Sequence, residues 1–231
     1  MNEKERTFPN MNRFLLILFL FCATVGIGQN LVPNFGFEIH NTCPSVQDQA
    51  EYATGWSKYS ASITTPDYYN ECSTAELMGV PQSGVLYQPD LRNCGAYMGL
   101  ATHGQPSFSD YREQVGIQLS EPLVMGQRYY LSFQTVMGGI RLGSDYEDHP
   151  SNNIGMRLST IEYSASSPAP IDNFAHLRSV SIITDSVNWI RISGSIIADS
   201  AYNYVMLGNF YDDSNTDTLL YNCATCYNSF C

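Results

Sequence analysis

The sequence predicts an all-β protein built from antiparallel sheet, and three stretches carry the prediction. In residues 127–137 (QRYYLSFQTVM), Tyr129, Leu131, Phe133, Thr135 and Met137 share one side of a period-two alternation. Tyr130, Ser132, Gln134 and Val136 share the other. The runs 187–197 (VNWIRISGSII) and 202–211 (YNYVMLGNFY) repeat that signature. Aromatic and β-branched residues in strict alternation fit a pleated surface with one face in a core and one wetter. No later stretch shows helical periodicity of comparable length.

The first of these runs reads as the central strand, entered through a turn at Met125-Gly126. The expected core is Leu131, Phe133, Ile190, Ile192, Ile196, Val205, Leu207 and Phe210. Trp189 and Ile190 are adjacent, so they cannot share a face of a regular strand, and one of them must meet a second packing surface or a bulge.

The chain of 231 residues suffices for one sandwich or barrel with a well-buried interior. Hydrophobic residues make up 44%, charged residues only 14%, and the formal net charge is -11. That composition is globular, and so acidic a chain has no electrostatic footprint for nucleic acid or for anionic membrane. Its carboxylates are suited to a hard cation such as calcium, or simply to solubility.

Residues 1–28 read as a secretory signal peptide: Arg13, a short apolar core over residues 14–25, then Gly26-Ile27-Gly28. The apolar core is too short for a transmembrane anchor, so no membrane span is expected after cleavage. The protein is expected to be secreted or held at the cell surface, with residues 29–231 forming a single domain. Of the seven cysteines, Cys22 lies in the leader. Cys43, Cys72, Cys94, Cys223, Cys226 and Cys231 remain, and an even count in an exported chain favours disulfides. Cys43 with Cys72 is the expected pair. Zinc at Cys223-x-x-Cys226 is the rival reading of the C-terminal group, without a histidine at ligand spacing.

Residues 30–38 (NLVPNFGFE) read as an extended opening segment with Pro33 at an edge position. Further along come Gly55-Trp56, residues 65–70 (TPDYYN), 94–100 (CGAYMGL), 111–119 (YREQVGIQL), 153–156 (NIGM) and 207–210 (LGNF). Together and in this order, these motifs resemble exported carbohydrate-binding-module-like domains of the galactose-binding, jelly-roll type, as found in gliding Gram-negative bacteria. The resemblance covers nearly the whole chain after the leader. It implies a jelly-roll β-sandwich, and a non-catalytic module that binds glycans. The alternative is a structural or adhesion module with a cell-surface protein as partner. It also implies a structural calcium with Glu38 as a ligand near the front of the chain. The Asp-Asp-Val-like closing strand of such domains is not matched by residues 223–231, so the last strand is expected to be absent or diverged.

Long Pro-, Gly- and Ser-containing connections are expected at residues 78–89, 103–110, 142–152 and 164–170, where binding function on a sandwich usually sits. For a sugar ligand the candidates are Trp56, Tyr59, Tyr68, Tyr69, Tyr87 and Tyr111 with Arg112, because sugars stack on aromatic faces flanked by polar groups. Tyr68 and Tyr69 must point opposite ways on a strand. Asp212, Asp213 and Asp217 offer oxygen density for calcium, against a solvated acidic turn as the plainer reading. No catalytic motif is present. The four histidines, His40, His103, His149 and His176, share no ligand spacing. A glycosidase-like carboxylate pair such as Glu113 with Asp145 is the remaining catalytic option.

Overall fold

The computed structural model describes residues 28–75, 78–80, 86–87, 95–104, 109–140 and 150–219. Apart from Gly28, the expected leader lies outside these residues. So do Cys94, Cys223, Cys226, Cys231, His149 and Asp145, and the side chain of Tyr87 is not described. The fold is all-β. In order, the strands are β1 (Trp56–Lys58), β2 (Asp67–Asn70), β3 (Leu86–Tyr87), β4 (Ala96–Gly99), β5 (Gln114–Gln118) and β6 (Arg128–Thr135). There follow β7 (Gly139–Ile140), β8 (Ile154–Ser159), β9 (Leu177–Arg178), β10 (Ile190–Ile197) and β11 (Tyr204–Asn209). The helical content among the described residues is two short 3-10 turns, Ala50–Tyr52 and Asp213–Asn215. None of the described helices is long and apolar enough to cross a membrane.

Five strands form one antiparallel sheet in the order β1-β5-β11-β8-β9. Its register aligns Trp56, Ile117, Val205 and Leu158 in one row, and Val115, Leu207, Met156 and Leu177 in the next. These rows form the inner face. A second layer, β6 paired with β10, lays Tyr129, Leu131, Phe133 and Ile196 against it. Two sheets closing on one apolar interior make the sandwich the alternation predicts.

The sheet order corrects part of the expectation. Among the described residues β6 pairs with β10 alone, and the middle of the larger sheet is β11. Phe210 is fully buried but belongs to a second cluster, with Tyr59, Ala169 and Met206 on the far face of the five-stranded sheet. Ile190 and Ile192 are half-buried on the inner side of β10. Trp189 precedes the strand and packs instead against Tyr97, with ring centroids 5.8 Å apart, so the two neighbours do meet different surfaces.

Residues 33–36 form a turn rather than the extended opening segment the sequence suggests. Asn34 adopts φ 45, its side chain bonds both the N–H and the carbonyl of Ile39, and Phe37 N–H closes the turn on the Asn34 carbonyl. Short-range polar chemistry wins over edge-strand extension here. The predicted Cys43–Cys72 disulfide is present, with Cα atoms 5.7 Å apart. It ties the segment before β1 to the end of β2.

Candidate functional site

A cleft of about 530 Å³ is lined by residues of β4 and of the end of β6. Tyr97 and Met98 on β4 supply one wall, Phe133 and Gln134 on β6 another, and Trp189 stands beside them. Asp67, Thr102 and Glu113 bring polar groups to the same space. β2 and β4 pair antiparallel with Tyr69 opposite Tyr97, so these two rings stack at 4.9 Å and brace the aromatic wall. Tyr97 is buried, and among the described residues its hydroxyl has no hydrogen-bond partner. Phe37, also on the cleft wall, holds φ 61, a conformation few bulky residues adopt. It is held there by the Trp56 ring at 4.6 Å and by the Tyr68 hydroxyl, which donates to its carbonyl at 2.7 Å.

Two carboxylates line the cleft, and both are engaged from within. Glu113 Oε1 accepts from Thr65 N–H (2.7 Å), the Tyr111 hydroxyl (3.0 Å) and the Thr65 hydroxyl (3.3 Å). Its Oε2 accepts from Ala101 N–H at 2.8 Å. Burial pushes the Glu113 carboxyl up, against the pull of these donors. Asp67 is pushed up to about 6, first by burial and then by the nearby Glu113 charge, while Asp48 N–H and the Tyr69 hydroxyl oppose the shift. Asp145, the partner the sequence suggested for Glu113, lies outside the described residues; among those described, Asp67 on β2 is a carboxylate that shares the surroundings of Glu113.

The expected ligand aromatics fare differently. Trp56, Tyr59, Tyr68, Tyr69 and Arg112 are all buried and offer no face to a sugar. Trp56 donates its indole N–H to the Asn34 carbonyl, and Tyr59 lies over Gly116, where a Cβ would come within 2.2 Å of its ring. Tyr68 and Tyr69 do point to opposite sides of β2, but each side is covered: Tyr68 joins the interlayer core and Tyr69 packs with Met78 and Tyr97. Arg112 donates to the Tyr211 and Tyr111 carbonyls and lies 2.9 Å from Asp213, so its charge is spent on holding the end of β11. Tyr111 alone of that group with a described side chain lines the cleft, bonded to Glu113. Tyr97 and Trp189 line the cleft as well, with Phe37 and Phe133. The neighbour conflict at Trp189 was the signal in the sequence that it leaves the strand; Tyr97 carried none.

The acidic candidates for calcium do not converge. Asp212 caps the 3-10 turn Asp213–Asn215; hydrogen bonds from the Asn173 amide first, then from the Asn215 amide and the Ser214 hydroxyl, hold its carboxyl far below the usual range. Asp213 faces Arg112, and Asp217 accepts from the Asn152 amide at 2.9 Å. Each carboxylate serves its own donor, so Asp212, Asp213 and Asp217 do not form a shared ligand set. Glu38 is exposed at a separate place beside His40 and Cys72. Among the described residues, the group with metal-ligand spacing is instead His40, Cys43 and Cys72.

His176 also departs from the reading of scattered loop histidines. Its Nδ1 accepts from Leu158 N–H (3.1 Å), its Nε2 meets the Tyr202 hydroxyl (3.0 Å), and that hydroxyl donates to Asp199 (2.5 Å). Burial holds its pKa below the ordinary histidine value, outweighing the Asp199 charge. The chain of bonds pins β8 to the following loops and lies apart from the residues that line the cleft. No family model, curated protein or solved structure matches the chain.

Proposed function

We propose that the chain is an exported, non-catalytic binding module whose cleft takes a glycan. The observation that carries this reading is the grouping of the half-buried Trp189 and Phe133, braced by the buried Tyr97, with Gln134, Thr102 and the two carboxylates around one space of about 530 Å³. Aromatic faces beside a few placed polar groups suit a ring with an apolar side and hydroxyl edges. Four donors hold Glu113, three on Oε1 and one on Oε2, so its carboxylate is a fixed part of the cleft wall, in keeping with a binding role.

Affinity electrophoresis of the mature chain through gels containing different polysaccharides tests the reading. Retardation by at least one polysaccharide is expected, and it should disappear in Trp189→Ala and weaken in Gln134→Ala while the circular-dichroism spectrum is unchanged. Folded protein that runs freely through every gel, together with self-association on size exclusion, would favour the structural or adhesion alternative and overturn this one.

A further inference from the structure

His40, Cys43 and Cys72 each bring one ligand-type atom into a group whose members lie within 4.8 Å of one another. His40 Nε2 is 3.7 Å from Cys43 Sγ, and its Nδ1 is 3.1 Å from the Glu38 carbonyl. A carbonyl can only accept, so Nδ1 carries the imidazole proton and Nε2 turns its lone pair toward the sulfur. A structural disulfide needs no histidine beside it. A metal-binding histidine does need its second nitrogen tied to a carbonyl or carboxylate, and that is the arrangement His40 has. The backbone at Cys72 is fixed as well, since its N–H donates to Asn70 Oδ1 at 2.8 Å. A recess lined by Glu38, Glu71 and Cys72 gives a cation an open approach with negative charge on its walls.

We propose that the Cys43–Cys72 pair has two states, and that in its dithiol state it binds one Zn²⁺ through Cys43 Sγ, Cys72 Sγ and His40 Nε2, with water in the fourth position toward the recess. Nitrogen and thiolate sulfur in this proportion suit zinc in tetrahedral coordination. Opening the disulfide takes two electrons and two protons from a thiol reductant, two RSH becoming RSSR as two cysteine thiols form. Zn²⁺ then displaces one proton from each thiol while the imidazole binds neutral, so the metal and its protein ligands sum to zero charge. Reoxidation by a disulfide RSSR, which takes up the two electrons and two protons to become two RSH, joins the sulfurs again and releases Zn²⁺, making disulfide and metal alternative occupants of one site.

The test uses the full-length mature chain reduced with a phosphine, which does not compete for zinc, and titrated with Co²⁺ as a spectroscopic probe and then with Zn²⁺. The reduced parent should bind one more equivalent than Cys72→Ser, and cobalt should give a thiolate charge-transfer band absent from the oxidised chain. His40→Ala should keep the disulfide when oxidised, because His40 is exposed and makes no part of that bond, yet weaken the extra equivalent at least tenfold when reduced. Zinc should also raise the melting temperature of the reduced parent more than that of His40→Ala. Equal stoichiometry in the parent and Cys72→Ser, or equal affinity in the parent and His40→Ala, would overturn the proposal, whichever other cysteines took the metal.

Discussion

The two layers of the sandwich are built on different terms. The five-stranded sheet is covered on both faces: Val115 and Val205 lie under the opposing layer, while Met206 lies under Tyr59 and its neighbours on the far side. The two-stranded layer has one face in the interior and the other in water, so β10 alternates half-buried and exposed residues along its whole length. Tyr130, at 66% exposed, stands on that wet face one residue from Leu131, which is buried. The same backbone pairing therefore tolerates change very unequally. A doubly covered strand has no side chain to spare, and a singly covered one has half of them free.

The sharpest way to expose that inequality is a pair of truncations. Met206→Ala empties a fully buried position and should cost about 2–4 kcal/mol, whereas Tyr130→Ala should stay within about 0.5 kcal/mol of the parent. Urea midpoints at fixed slope measure both, and equal losses would erase the distinction. Next comes a pair of additions. Gly116→Ala drives a methyl into the buried Tyr59 ring and should cost about 2–3 kcal/mol, while Gly194→Ala on β10 meets only a Leu177 methyl at 3.1 Å and should cost less than about 1 kcal/mol.

The smallest effects are those of pH, and they run in opposite directions. Burial lowers the His176 pKa, so the native state resists protonation there and stability falls as the pH drops below about 6.5, the ordinary histidine value. Asp67 is raised to about 6, so its contribution is present at low pH and lost as the pH rises through about 6. Asp67→Asn should remove that second slope, gaining about 1–2 kcal/mol near pH 8 relative to the parent. His176→Gln should flatten the acid side. Thermal unfolding between pH 4 and pH 8 reads both, and parallel curves for the parent and Asp67→Asn would contradict the burial of that carboxylate.

The contrast between the layers also explains what could be read from the chain. Strict alternation announces a strand with a wet face, so residues 127–137 and 187–197 stood out most and drew the central role to β6. The true centre, β11, buries Val205 and Met206 on opposite faces and blurs its own period. The sandwich was thus legible, and the order of its strands was not. The Cys43–Cys72 pair was legible because the two cysteines bracket one insertion-like segment of the chain. Aromatic abundance misled the search for a site: Trp56, Tyr59, Tyr68 and Tyr69 are bulk for the interior. The partnership of Asp67 with Glu113 spans a separation that only strand pairing brings together, so no local pattern marks it.

Glu113 carries one more consequence. Its two oxygens tie the Thr65 segment, 48 residues away, to Ala101 and the nearby Tyr111 at the edge of the same hollow. Whatever lodges there meets a rim that these bonds have already assembled, with little conformational entropy left to surrender. Arrival should then be limited by encounter and dehydration rather than by rearrangement, and a guest of the wrong outline should be refused rather than accommodated.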